Sequence, residues 1–217
     1  MKARLAAMIL IVLGLLGAAV SGWAQTEWIR IEKKDPLTDY PFVRFTLDGK
    51  FLQAPSKGGA DKPTFVLECD PSKTKWKGTV RGKLLHAFIV TGTVLNSEVV
   101  TEESALAGTT HQSLVGVAYR RDDEKKIQSD AWEHSTDFSA LFLSYHSPSG
   151  LIHDNGDARL NQLFYWHDVI HKEGKGEQVH KVRISVPEYL GGSVVMQFDL
   201  PDLTTVADSC GLIEHRR

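Results

Sequence analysis

The sequence predicts a mainly β protein, either a β-sandwich or a bent antiparallel sheet, carrying one or two short helices including a C-terminal one. Three observations predict it. Several short runs alternate apolar and polar residues with a period of two. β-Branched and aromatic residues concentrate in those runs. Only two segments combine helical spacing with start and stop signals.

The N-terminus comes first. Lys2 and Arg4 precede an apolar run from Leu5 to Val20, and Ser21-Gly22-Trp23-Ala24 follows. A basic region, an apolar region and a small-residue cut site, in that order, make a secretory signal peptide over residues 1–24. The run is short for a membrane span of ~20 residues. No Cys lies near the cut, so no lipid anchor is expected there. The expected product is periplasmic or secreted and not membrane-spanning once processed. Residues 25–217 then form a single β-rich domain, long enough to bury a core.

The strands follow in order. Val43, Phe45 and Leu47 alternate with Arg44, Thr46 and Asp48, as in a half-buried strand. Residues 64–69 make a short apolar run after Pro63. Residues 84–95 make a longer one, with Gly92 as a candidate bulge. Residues 114–119 make another. Val182, Ile184 and Val186 alternate with Arg183 and Ser185. Residues 189–193 read as a turn, and Val194, Met196, Phe198 and Leu200 resume the pattern, so this pair is the strongest hairpin signal. Between 117 and 142, a charged turn at Arg120-Arg121-Asp122-Asp123 separates two strands, the second centred on Trp132. Ser135-Thr136-Asp137 then offers side chains that cap a turn.

Asp157 is the expected cap of a helix from 158 to about 172. A second helix is expected over 202–209, after Pro201 and before Cys210-Gly211. Polar, Gly- and Pro-containing loops are expected at 53–62, 70–82 and 147–156.

Charge excludes one class of partner. Of 25 basic residues, Lys2 and Arg4 fall in the signal peptide, leaving 23 against 27 acidic, a net charge of −4. No basic tract suited to phosphates is present, so nucleic acid is not an expected partner. The two cysteines, Cys69 and Cys210, are either bridged, as an oxidising compartment permits, or two separate buried thiols.

Chemistry-bearing motifs are few. His167-Asp168-Val169-Ile170-His171 places two His at i and i+4, which on a helix presents two nitrogens to one metal. His180 and Glu188 are candidate third ligands. This defines the alternative function, a secreted metal-dependent hydrolase. Against it, Asp168 replaces the Glu of the zinc-protease pattern. His167 and His171 would also share a helix face with Leu160 and Phe164, where packing explains them as well. Ser147 and Ser149 lie between His146 and His153 in a loop, without a nucleophile elbow. The expectation is therefore no catalytic residue, no resident metal and no cofactor. Arg120, Trp132, His134 and Asp137 are the candidate binding surface, for a protein or cell-envelope component. An apolar ligand pocket lined by Trp132, Phe142 and Trp166 is a further reading.

The chain also resembles the VasI-like periplasmic proteins associated with type VI secretion. The resemblance rests on Asp35-Pro36-Leu37-Thr38-Asp39, the strand ending at Cys69, Tyr119-Arg120 with Asp122, Trp132, Ser135-Thr136-Asp137 with Ala140-Leu141-Phe142, and Phe198-Asp199-Leu200 with Val206 and Cys210-Gly211. Residues 84–112 and the HDVIH stretch depart from that pattern. The resemblance implies an exported, β-rich, non-catalytic accessory domain, and it implies a Cys69–Cys210 disulfide because both positions match.

Overall fold

Alternation of buried and exposed side chains organises the molecule. The computed structural model describes residues 27–56, 59–76, 79–104, 108–146, 153–154, 156–165 and 178–212. Strands β1 (Ile29–Lys34), β2 (Pro41–Asp48), β3 (Lys50–Gln53), β4 (Thr64–Trp76), β5 (Thr79–Val90), β6 (Glu98–Ser104) and β7 (Gly108–Arg121) make up the first half. β8 (Gln128–His134), β9 (Ala140–Phe142), β10 (Tyr145–His146), β11 (His153–Asp154), β12 (Lys181–Pro187) and β13 (Ser193–Asp199) complete the set. The helices are α1 (Asp157–Phe164) and α2 (Thr204–Cys210).

One eleven-stranded antiparallel sheet runs β1-β2-β4-β5-β9-β8-β7-β12-β13-β3, with β6 added beside β7, and β10 and β11 pair separately. The sheet doubles back on itself. Phe65 of β4 packs edge-on against Phe198 of β13 at 5.6 Å between ring centres. Phe164 of α1 closes on Phe65 at 5.4 Å, and Trp28 reaches both. Interdigitated aromatics of this kind dominate core energetics.

Gly49 makes the doubling back covalent. It is the single residue between β2 and β3, which lie close to opposite ends of the sheet order. A Cβ at Gly49 would stand 2.7 Å from both the Gln197 carbonyl and the Phe198 ring. Only glycine passes so close to β13 while the chain crosses from one layer to the other.

The expected strands match closely. Val43, Phe45 and Leu47 are all buried while Arg44 and Thr46 are not. In the hairpin of β12 and β13, Val186 faces Val194 and Ile184 faces Met196. Several expectations need correction, among them the loop 147–156, which contains β11. The segment 70–82 is not mostly loop, because β4 and β5 extend through it. Gly92 is not a bulge within a strand but lies just past the end of β5 with φ 69°. There a Cβ would meet Ala60.

The helices are anchored from afar. α2 packs on β4 and β5 and ends at Gly211, with φ 70°. Its Cys210 is bonded to Cys69 of β4, Cα atoms 4.8 Å apart, so the described chain has a clasp between an early strand and its last helix. α1 begins at Asp157, the residue expected to cap it, and the cap position falls one residue earlier, at Gly156 with φ 90°. It ends at Phe164 rather than near 172, because Tyr165 is extended and bridges to Gln178. Its last carbonyls find partners outside the helix. Arg121 donates to Gln162 O at 3.0 Å, and Val179 N donates to Phe164 O at 2.8 Å. Satisfying the orphan carbonyls in this way stops the helix.

Candidate functional site

The four residues of the expected binding surface do not form one. Trp132 is 1% exposed and points into the core, where its indole N–H donates to Asp130 at 2.8 Å. Arg120 lies on β7 opposite Arg183 of β12, with the buried Tyr119 and Arg121 on either side of it pointing the other way. His134 stacks on Phe138 at 4.2 Å, its Nδ1 2.8 Å from the Ser135 carbonyl. Asp137 is exposed at the next turn, accepting hydrogen bonds from the Ser139 N–H and hydroxyl and from Ser135 Oγ. Those bonds hold its carboxyl at about 2. His134 and Asp137 are thus neighbours at one turn, while Trp132 and Arg120 belong to the core and another face.

The apolar pocket is likewise not assembled. Phe142 pairs with Phe88 on the far side of the sheet from Trp132 (ring centres 5.6 Å apart), and Trp166 lies outside the described residues. His167 and His171 also lie outside them, as do Ser147 and Ser149. α1, with Leu160 and Phe164 on it, ends at Phe164. His180 and Glu188 bracket the seven residues of β12, a separation of about 25 Å at the rise of a strand. They cannot share an ion. His180 is exposed, and among the described residues no group of three or more His, Cys, Asp or Glu is placed to hold a metal.

Two partly buried ionic clusters serve the fold. Arg159 of α1 donates to Asp130 at 2.7 Å and to the carbonyls of Ala131 and Leu143 at 3.0 and 3.1 Å. Arg121 holds α1 from the other side and pairs with Glu124 at 3.2 Å. Both guanidinium groups use their fixed fork of donors to bind backbone and carboxylate together.

The arrangement least expected from sequence is at the loop end beyond β12. Glu188 is 5% exposed. Its carboxylate accepts from Thr93 Oγ1 at 2.8 Å and from Ser56 N–H at 3.1 and 3.2 Å. Burial by itself would raise its pKa, but these hydrogen bonds outweigh it and hold the carboxyl below its ordinary value. Loops 54–56, 91–96 and 188–192 are thereby drawn together. Backbone bonds from Tyr189 N to Val94 O and from Asn96 N to Pro187 O, both 3.0 Å, stitch the same junction. Gly191 and Gly192, with φ 90° and 91°, complete the turn. On this braced base Tyr189, Leu190 and Val94 stand 69%, 61% and 51% exposed. Sequence reasoning treated 189–193 only as a turn. The available signal was a Glu continuing an apolar alternation directly before an aromatic and a Leu at a turn tip.

No family model, curated protein or solved structure matches the chain.

Proposed function

We propose that the chain is an exported, non-catalytic β-sandwich that binds a protein component of the cell envelope through the loop end braced by Glu188. The observation that carries this reading is the exposed trio Tyr189, Leu190 and Val94 on a base held by a buried carboxylate. Aromatic and apolar side chains on a rigid base lose little entropy on binding, so they make effective anchors. The buried Cys69–Cys210 bond suits an oxidising compartment. The signal-peptide pattern of residues 1–24 supports the same destination. The resemblance to VasI-like proteins suggests a type VI-like secretion apparatus as the setting.

A photo-crosslinking residue introduced separately at Tyr189, Leu190 and Leu37 tests the reading in the producing cell. Leu37 is 92% exposed at a distant turn and serves as the control. One envelope protein captured from positions 189 and 190 but not from 37 is the expected result. Equal capture from all three, or none, would overturn it.

A further inference from the structure

We propose that β1 is a self-association strand, through which two copies of this chain pair antiparallel about a two-fold axis at Ile31. Arg30 of each copy then lies opposite Glu32 of the other.

Among the described residues β1 pairs only with β2, and all six of its residues are exposed. An open edge of this kind presents unpaired N–H and C=O groups to any strand that can join it. The direction of those groups follows from the turn after β1. Asp35 N donates to Tyr40 O at 2.8 Å, continuing the β1–β2 register in which Lys34 faces Pro41. Alternation then turns Ile29, Ile31 and Lys33 toward β2, and Arg30, Glu32 and Lys34 outward.

An antiparallel partner must match outward residues with outward residues, which leaves few registers. With the axis at Arg30, the two Arg30 side chains face each other. With the axis at Glu32, the two Glu32 carboxylates face each other and Arg30 opposes Lys34. With the axis at Ile31, Arg30 opposes Glu32 twice and Lys34 opposes Trp28. Opposite charges stabilise directly opposed positions and like charges destabilise them. Charge therefore favours the Ile31 register over its neighbours at Arg30 and Glu32, and an axis at Lys33, which would pair Glu32 with Lys34, sets the two Lys33 side chains against each other.

That register also places Ile31 against Ile31 in the non-hydrogen-bonded position, where side chains come closest. Ile29, 53% exposed, and Ile31, 40% exposed, lie on one face of the strand. The two Ile31 side chains would cover each other there, while each Ile29 lies opposite Lys33 of the other copy and diagonal to its Ile31. The interaction of Arg30 with Glu32 within one strand, 2.8 Å in the single chain, is exchanged for two equivalent pairs across the axis. A contact of this kind is isologous. A few residues per copy make a small interface, so the dimer is reversible and concentration-dependent.

Sedimentation velocity over a concentration series tests this, on protein with the N-terminus that the exporting cell leaves. The variants are Arg30→Glu, Glu32→Arg and the double swap. The parent should dimerise reversibly. Each single swap should raise the dissociation constant at least about tenfold, and the double swap should restore it to near the parent value. All four should melt alike, since the altered side chains are exposed. A parent that stays monomeric at high concentration would overturn the proposal, as would single swaps that dimerise like the parent or a double swap that does not recover. The outcome is independent of the loop-end reading, because β1 and Glu188 share no described contact.

Discussion

Glu188 and Thr93, 95 residues apart, meet through a hydrogen bond of 2.8 Å that joins two loops at one end of the sandwich. The same carboxylate takes the Ser56 N–H, so a single buried side chain braces three loops. Its replacement by Gln keeps the size but removes the charge-assisted acceptor. Glu188→Gln should cost about 1–3 kcal/mol at neutral pH, read by urea unfolding. The pH dependence has a definite sign. The native carboxyl binds a proton less readily than the unfolded one, whose ordinary value is 4.5. Its contribution is present above that value and is lost as pH falls through the lower native value. The gap between parent and variant should therefore narrow on acidification. A gap that is constant or widens would show that Glu188 acts by shape alone.

Arg159 is the second test. Its guanidinium binds Asp130 and two backbone carbonyls at once, with side-chain exposures of 17% for Arg159 and 30% for Asp130. Arg159→Ala removes the cation from a partly buried carboxylate, which keeps the Trp132 indole N–H, and a donor from two carbonyls, and should cost about 1–3 kcal/mol. Arg159→Lys should recover little, because an ammonium lacks the broad planar fork with which the guanidinium reaches three acceptors at once. Chemical denaturation followed by tryptophan fluorescence measures both. A Lys variant as stable as the parent would reduce the cluster to a simple charge pair.

The Cys69–Cys210 bond closes a sequence separation of 141 residues. Restricting the unfolded chain over such a loop contributes about 2–5 kcal/mol. Replacing both cysteines by Ala should lower the denaturation midpoint accordingly. Both residues are buried, at 0% and 2% exposure. Reductant should therefore act slowly on the native protein and fast in denaturant. Thiol titration of denatured, unreduced protein should find no free thiol, and two titrating thiols would refute the bond.

Two glycines with similar backbone angles should respond differently. Gly211 has φ 70°, and a Cβ there would lie 2.0 Å from the Gly82 carbonyl. Gly191 has φ 90° with nothing within 4 Å. Gly191→Ala should cost only the strain of the left-handed backbone, about 1–2 kcal/mol. Gly211→Ala adds a clash of backbone against backbone that α2 relieves only by lifting from β5. It should lose clearly more, measured by thermal or urea unfolding. Equal losses would mean that the approach of α2 to β5 relaxes freely.

The strands were legible where one face is core and the other solvent. Val43, Phe45 and Leu47, and the pairing of β12 with β13, follow from period two because burial repeats with the same period. The end of α1 was not legible. Helical spacing continues through His167 and His171 in the sequence, but the stop depends on Arg121 and Val179, which come from β7 and from the chain before β12. Trp132 misled for a related reason. Its neighbours Asp130, Glu133 and His134 are polar, which suggests an exposed strand, yet Asp130 is spent on the Trp132 indole and on Arg159.

By itself the sequence determined the mainly β class, most of the strands and the C-terminal helix. These depend on local periodicity and turn chemistry, as where Asp35 caps its own turn through Leu37 and Thr38. It also limited the cysteines to a single pairing. Tertiary structure alone decided how the sheet doubles back at Gly49, where α1 stops, and which side chains face outward together. Those outcomes depend on contacts between residues far apart in the chain, whose geometry no local pattern encodes. The Glu188 loop end is the clearest case, since Ser56, Thr93 and Glu188 acquire a common purpose only once three distant loops are brought to one point.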